Sequence, residues 1–427
     1  MTSKISLLEK ISDISYLENA WNQLYKFNKH SRGLSGETIE HFSKNKEDKL
    51  KSISDKLKNK EYKFSGNRGV LIPKNGKNKF RPLQIPEISD RVVIKAIALE
   101  LEEIFSETIK KSDGFSFAYQ KKIGVKEAVL KIQEHYNNGY HYVLEADLIN
   151  FFGTVNKKEL LENKIFTKLS DNSINELISN ALNQKVGNLK EFDDLQKKYF
   201  EGIENGIPQG NALSPLLSNI YLSKFDLELI KDNYKLVRYA DDFVIMCKSS
   251  NECKNAYTKS LHLLKELNLE IHPLEKGEKT KITNIHKESL TFLSVTFDGK
   301  ALFPSLDNFK RLQNKLWELN KGKVELSLID YFIKLKNKHE GWISAFIYTD
   351  ILRYSEELDF WINRIIYLKL KQIQWSLTPT TLNKIPKKYY TKNTSKYCLS
   401  DIQRQNSGIP FTSTLILEKL NKIKQIK

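Results

Sequence analysis

The stretch VRYADDFVIM, Val237 to Met246, decides how this sequence reads. Two adjacent carboxylates, Asp241 and Asp242, stand between two short apolar runs. Such a pattern describes a β-hairpin with the acids at its tip. Successive side chains of a strand point to opposite faces, so only one of two neighbouring acids can face squarely into a site. Burying one unpaired carboxylate is costly and burying two side by side is worse, so something cationic is expected there. A plain turn, in which an aspartate caps its own backbone, is the bland alternative.

A third acid lies upstream in YHYVLEADLINFF, Tyr140 to Phe152. Its first half alternates as a strand, and Asp147 ends that strand two residues after Glu145, on the same face. A carboxylate on one strand end and another on a neighbouring hairpin can grip two divalent cations about 3.5–4 Å apart. Hard oxygen ligands favour Mg²⁺, which keeps waters and takes its remaining ligands from substrate phosphates. The expected cofactor is therefore two Mg²⁺ ions, with Mn²⁺ as a substitute. A pair of ions of this kind stabilises the attacking and leaving oxygens of an in-line phosphoryl transfer. In NGIPQGNALSP, Asn205 to Pro215, Gly206 and Gly210 bracket Ile-Pro-Gln and let the backbone come close to a ligand. Gln209 then stands at the mouth of a helix that begins near Asn211, where it can touch a base or sugar.

Bulk properties agree with a nucleic-acid partner. The 427 residues carry 69 Lys+Arg against 52 Asp+Glu, a formal net charge of +17, which suits a polyanion or else a Lys-rich solvated surface. Hydrophobic content of 40% with 11% aromatics describes a folded chain, and its length calls for two or three packed units. Cys247, Cys253 and Cys398 form no CxxC pair and no Cys/His cluster, which argues against zinc and against a disulfide framework. MTSKISLLEK has no signal-peptide core, and no apolar run approaches the ~20 residues that span a bilayer. A reduced, cytoplasmic setting without a membrane partner is the expectation.

Residues 5–64 read as helical, Lys44 to Phe64 forming a Lys-rich amphipathic, solvated segment. GNRGVLIPKNGKNKFRPLQIP, Gly66 to Pro86, reads as a basic hairpin with Asn75-Gly76 at its turn. Residues 89–110 read as a helix, and helical periodicity returns from Lys157 to about Gln184. Beyond Lys300 three long helical patterns run to about Trp375, followed by a Thr/Pro/Lys-rich connection and a short tail. No internal repeat is visible.

Taken in order, RPLQIP, EADLINFF, GIPQGNALSP, YADD, EKTK and FLSV resemble the fingers and palm of reverse transcriptases, from roughly Trp21 to Val295. The resemblance implies an α+β right-hand polymerase whose palm carries an antiparallel sheet bearing the YADD hairpin. It places an N-terminal extension and fingers in 1–120, a palm in 121–300 with fingers helices at about 157–205, a helical thumb in 301–376 and a tail in 377–427. It implies that Asp147, Asp241 and Asp242 are the catalytic, metal-binding acids, with Asp147 and Asp241 the main ligands. Arg81 would contact the incoming triphosphate, with Gln209 and Gly210 beside the nucleotide. Phe152 falls at the position that excludes a ribose 2′-OH, the group by which proteins tell RNA from DNA; ordinary core packing is its plain alternative. Lys279 matches the lysine that can protonate the leaving pyrophosphate, with Lys281 close enough to compete. Tyr239 would contact nucleic acid, as would Phe292 and Leu293 in the primer grip, where Ser294 replaces the usual glycine of FLGF. Between Ser112 and Lys126 the family usually offers an arginine. Tyr119, Gln120, Lys121 and Lys122 stand there instead, and no second fingers contact is assigned.

His339 to Gln372 looks like the helical thumb of group II intron-type enzymes, with Trp342 and Trp361 as packing residues and outward Lys and Arg on a duplex backbone. No HNH-type, Cys/His or RNase H region is visible, and the VTG tripeptide of retron enzymes is absent. That layout resembles the free-standing bacterial defence-associated reverse transcriptases, most of all the type 2 kind. By that analogy the protein copies a structured, adjacently encoded non-coding RNA into cDNA during phage infection, with dNTPs and an RNA/DNA duplex as its other partners. Two alternatives stay open: a group II intron-type maturase or RNA-binding chaperone, and an untemplated or protein-primed DNA polymerase of the abortive-infection kind, for which tyrosines such as Tyr389 and Tyr390 offer a hydroxyl. Oligomeric state is not legible.

Overall fold

Two short segments rich in apolar residues, Arg68–Pro73 (β1) and Phe80–Ile85 (β2), pair antiparallel from Arg68↔Ile85 to Pro73↔Phe80. This is the expected basic hairpin; its turn, Asn75-Gly76, lies outside the described residues. The computed structural model describes residues 5–24, 26–74, 79–275, 279–321, 327–373 and 401–426. They divide into two compact units, 1–283 and 284–427.

The first unit is built round an antiparallel sheet. Tyr142–Asp147 (β3), Lys235–Tyr239 (β4), Asp242–Cys247 (β5) and Lys281–Asn284 (β6) lie in the order β4-β5-β3-β6. Val143, Leu144, Leu236, Val237 and Phe243 to Met246 are all buried, because helices cover both faces. Helix Val125–Asn137 packs on β4, and helix Ser250–Glu266 packs on β3 and β5. Helix Ser214–Lys231, started by Pro215 in its first turn, also packs on β4. Helix Ile88–Ile104 is buried nearly all round from Val92 to Leu101, more than an amphipathic stripe would give, with only Lys95 partly open there.

Three expected helical spans are interrupted, 89–110 among them by a turn at Phe105 between helices Ile88–Ile104 and Ser106–Lys110, and a fourth helix starts late. Residues 5–64 form helices Leu7–Ser12, Ile14–Asn22, Ile39–Lys44 and Lys46–Lys58, and the described residues between Asn22 and Ile39 are turns and an Arg32–Thr38 bridge. The second helix is capped at Gln23, and Gly36, at φ +85°, lies in the turns that precede Ile39. The span 157–184 is likewise split: an irregular helix from Lys157 to Lys168, wound as π over Leu160–Ile165, precedes a separate helix Asn175–Leu182. The helix expected near Asn211 starts at Ser214, since the Asn211 side chain accepts from Leu213 N at 2.9 Å and holds a turn.

In the second unit Leu290–Phe292 (β7), Val295–Phe297 (β8) and Leu302–Pro304 (β9) make a small antiparallel sheet. The three long helices appear as Leu306–Trp317, Leu328–Phe346 and Ser355–Gln372. Trp342 is buried against Phe309 and Phe346 and donates to Asn308 Oδ1 at 2.7 Å, whereas Trp361 is half-buried with Arg364 over its ring. The tail is more than a tail: residues 401–426 include helices Asp401–Asn406 and Thr412–Ile426, the latter packed on Ser355–Gln372. Buried Arg404 fastens them, pairing with Asp359 and donating to Asn363 Oδ1 at 3.1 Å and to the Ile409 carbonyl at 3.1 Å. Trp375, Tyr389, Tyr390 and Cys398 lie outside the described residues.

One buried ion pair ties the first unit's elements together. Arg238 of β4 is 1% exposed and Asp226 of helix Ser214–Lys231 is 0% exposed. The guanidinium meets the carboxylate side on, Nε to Oδ1 at 2.7 Å and Nη2 to Oδ2 at 2.5 Å. Removing one member strands the other's charge in the interior. Asp226→Ala is expected to cost about 3–5 kcal/mol in urea unfolding, and Asp226→Leu with Arg238→Met to recover most of it.

Candidate active site

Antiparallel register puts the three acids together. Asp147, last residue of β3, is the direct partner of Asp242, first residue of β5, and Asp242 also pairs with Tyr239 across the hairpin. Only Ala240 and Asp241 lie between Tyr239 and Asp242, so the acids are a tip residue and a strand residue rather than two tip residues. Ala240 takes φ +60°, a conformation that costs an L-residue roughly 1–2 kcal/mol. The surroundings hold it there: Arg238 Nη1 donates to the Ala240 carbonyl at 2.9 Å.

After Asp147 the chain turns at Asn150, at φ +48°, into the short helix Phe151–Thr154. Phe151 is buried, while Phe152 is half-buried and lines the cavity in front of the acids. The backbone of 147–149 is held from the other side by Leu148 bridging Ile271 and by Ile149 N donating to Glu270 O at 2.8 Å. That pairing leads the chain to Lys279, whose ammonium binds Asp147. Lys281 instead reaches Glu145 at 3.1 Å, and Thr283 Oγ1 donates to the same carboxylate at 2.9 Å. The two lysines that competed in sequence are thus separated in space.

The cavity measures about 1070 Å³ and lies within the first unit. Asp147, Asp241, Asp242 and Lys279 line one part of it, and Arg81, Phe152, Gln209 and Gly210 contribute further walls. Arg81 projects exposed from β2, and its charge acts on Asp241. The sequence gives the glycines a different task from the one they perform. A Cβ on Gly206 would lie 2.0 Å from the Phe152 carbonyl oxygen, and one on Gly210, at φ +107°, would lie 2.6 Å from the Gln84 carbonyl oxygen. What they admit is protein backbone: Ile207 N donates to Phe152 O at 2.9 Å, and Gln84 N to Gln209 O at 2.8 Å.

Sequence reading missed other wall residues. Tyr119, His272 and, from the N-terminal segment, Gln23, Leu24 and Asn28 line the same cavity. Their spacing marks none of them, and of these only Tyr119 stands in the stretch from Ser112 to Lys126, where no fingers contact is assigned. Phe292 and Leu293 belong to the second unit. They enter a two-residue hairpin, Phe292↔Val295, in which Leu293 and Ser294 take φ +51° and +67°. Both φ values match the primed turn that favours glycine. Ser294 is kept there by its Oγ accepting from Arg311 Nη2 at 3.1 Å and its carbonyl accepting from Ser305 N at 2.9 Å.

The three carboxylates have one bound ammonium among them. Burial raises the Asp241 carboxyl above the ordinary range and the Asp147 charge adds to this, against its own backbone N–H, Arg81 and Lys279. The Asp242 side chain is open to the cleft by area but crowded by protein on the remaining sides. That crowding first, then the Asp241 and Asp147 charges, push it up to about 7. Among the described residues no three acid, imidazole or thiol groups already close on one metal-binding point. The donor set nevertheless fits divalent cations: three hard carboxylates, under-neutralised, with an ammonium standing on Asp147.

Residues 72–297 match the family described as reverse transcriptase (RNA-dependent DNA polymerase), and the chain belongs to that family. It is 28% identical over 278 residues to the group II intron-encoded protein LtrA of Lactococcus lactis subsp. cremoris, covering 65% of this chain and 42% of that one. It is 27% identical over 279 residues to protein YkfC of Escherichia coli strain K12, covering 56% of this chain and 68% of that one. The chain therefore spans less than half the length of the intron-encoded relative. Among solved structures, a chain of a partial Cas6-RT-Cas1–Cas2 complex matches at 26% identity and TM-score 0.37, over 61% of this chain and 41% of that one. An apo telomerase from Candida tropicalis matches at 15% identity and TM-score 0.43, over 73% and 58%. No described helix is long and apolar enough to cross a membrane.

The raised Asp242 carboxyl gives a signed pH dependence. Its folded pKa, about 7, exceeds the ordinary 3.8, so between those values the native state binds more protons than the unfolded one. The stability of the metal-free protein through this group therefore falls as pH rises from about 4 to 7. Asp242→Asn removes the titration, so its Tm relative to the parent protein should rise from pH 4 to pH 8. A constant difference across that range would detach the carboxyl from the cluster.

Proposed function

We propose that this protein copies RNA into DNA with Mg²⁺, the acids Asp147, Asp241 and Asp242 forming the reacting centre. The observation that carries the reading is the β3–β5 register, which sets Asp147 against Asp242 beside Asp241 in a cavity walled by Arg81 and Phe152. The three carboxylates would hold a pair of Mg²⁺ ions, which when bound supply charge stabilisation to the attacking and leaving oxygens.

The chain's own groups do the rest. Arg81, a fixed cation facing Asp241, binds the triphosphate of the incoming nucleotide. Phe152 closes the space a ribose 2′-OH would need, which selects dNTPs. Lys279, resting on Asp147, keeps a proton within reach of the leaving pyrophosphate. Gln209, tied through its carbonyl to β2, faces the nucleotide beside Gly210, and Tyr239 supports the primer end from the hairpin. Phe292 and Leu293 act on the primer from their own hairpin. A structured non-coding RNA as template and a role in antiphage defence in the cytoplasm rest on the resemblance of the ordered motifs. The match to an intron-encoded protein favours, as a second reading, an RNA-binding role in intron splicing.

Extension of a primed RNA template with dNTPs and Mg²⁺ tests the proposal. Asp241→Asn with Asp242→Asn should lower synthesis to below about one-thousandth, the scale on which loss of a catalytic group falls. Undiminished synthesis would end the proposal, and loss of synthesis with intact biological function would favour the RNA-binding role. Phe152→Ala should raise ribonucleotide incorporation relative to deoxyribonucleotide by about 10–100-fold; unchanged sugar discrimination would make Phe152 a packing residue.

A further inference from the structure

Tyr119 is the second strained residue at the acid cluster. It takes φ +62°, which for a bulky side chain is a true outlier, and the residue is 49% exposed on the cavity wall. The chain on either side leaves it no choice. Arg238 N donates to Phe115 O at 2.7 Å and Phe117 N donates to Arg238 O at 2.9 Å, so residues 115–117 run as an added strand on the edge of β4. Asn219 Nδ2 donates to Ala118 O at 3.0 Å, and Gln120 Nε2 donates back to Ser116 O at 2.9 Å. Left-handed conformations held this firmly at a site mark residues whose side chain is needed in one direction. Packing does not require this ring, since half of the residue is exposed. Asp241 and Arg81 line the same cavity as Tyr119, and both charges act on its hydroxyl.

We propose that Tyr119 grips the incoming deoxynucleoside triphosphate, its phenol O–H donating to a phosphate oxygen between Arg81 and Asp241. The inference rests on the polymerase reading above and adds a contact in a segment where no motif residue was assigned. A polyanion bridging Arg81 and the metal-binding acids passes Tyr119, and a hydroxyl there is a donor of the required kind. The contact persists from bound substrate to transition state, so it lowers KM more than it raises kcat.

Tyr119→Phe removes only the hydroxyl. It should raise KM for dATP, and the Kd for dATP with Mg²⁺ on a dideoxy-terminated primer–template, about tenfold, with kcat within twofold and Tm unchanged. Tyr119→Gly releases the backbone and should raise Tm by about 2 °C while weakening dATP binding further. A parent enzyme that extends primers while Tyr119→Phe keeps its dATP affinity removes this inference alone, as does Tyr119→Gly with lowered Tm and unchanged affinity. A parent protein that neither extends primers nor binds dATP removes the polymerase reading, and this inference with it.

Discussion

Arg238 and Asp226 form the contact on which the catalytic end of the sheet depends. Taking two charges out of water costs several kcal/mol per ion, and an apolar pair of equal volume would often serve stability as well. The pair is explained by position. The guanidinium spends two donors on Asp226, one on Asn219 Oδ1 at 3.2 Å and one on the Ala240 carbonyl. Its own N–H and C=O meanwhile fasten residues 115–117. One buried residue therefore sets the angle of the hairpin tip that carries Asp241 and the strand that delivers Tyr119. A leucine could fill the space but could hold neither carbonyl.

A second constraint joins the cavity walls. Arg81 and Gln209 are far apart in the chain, and nothing in either segment alone would bring them together. Gln84 N bonded to Gln209 O, at a point where Gly210 lets two backbones meet, makes β2 and the loop after Asn205 a single wall. The other end of that loop is fixed on Phe152 O through Gly206. Phe152 is thereby connected to β2, and the steric role proposed for its side chain needs such a rigid seat. The loop works as a brace between two walls of the cavity.

Local pattern announced the hairpin of VRYADDFVIM, the strand ending at Asp147 and the β1–β2 pair, because period-2 apolar runs and turn residues are local signals. The acids were recognisable for the same reason: an ionisable pair inside an apolar context has few uses. What stayed hidden depends on pairings across long separations. Arg238 reads as one more basic residue until Asp226 is seen to face it, and Tyr119 cannot be told from its neighbours Gln120, Lys121 and Lys122 until its φ is known. Lys279 and Lys281 cannot be ranked in sequence, since they flank Thr280 and lie on the same side of an alternating stretch. Their opposite destinations, Asp147 and Glu145, decide the matter. The helical reading of 5–64 failed at residues 23–38 because periodicity shows which residues can be helical, not where a turn with Gly33 and Gly36 interrupts them.

The overall charge misleads about the site in an instructive way. A surplus of +17 would predict that any acid finds a lysine nearby. Charge at the reaction centre is set within a few ångströms, however, and screening erases the remainder beyond about 8–10 Å in salt. At that range the first unit places three carboxylates round one bound ammonium, and burial first, then the Asp241 and Asp147 charges, raise the Asp242 carboxyl to about 7. The fold thus spends stability to keep a negative centre at the end of its main sheet, while the surplus lysines lie elsewhere on the chain. A polymerase needs both: a basic exterior that gathers polyanions without regard to sequence, and a local deficit of cations that only added divalent charge can fill.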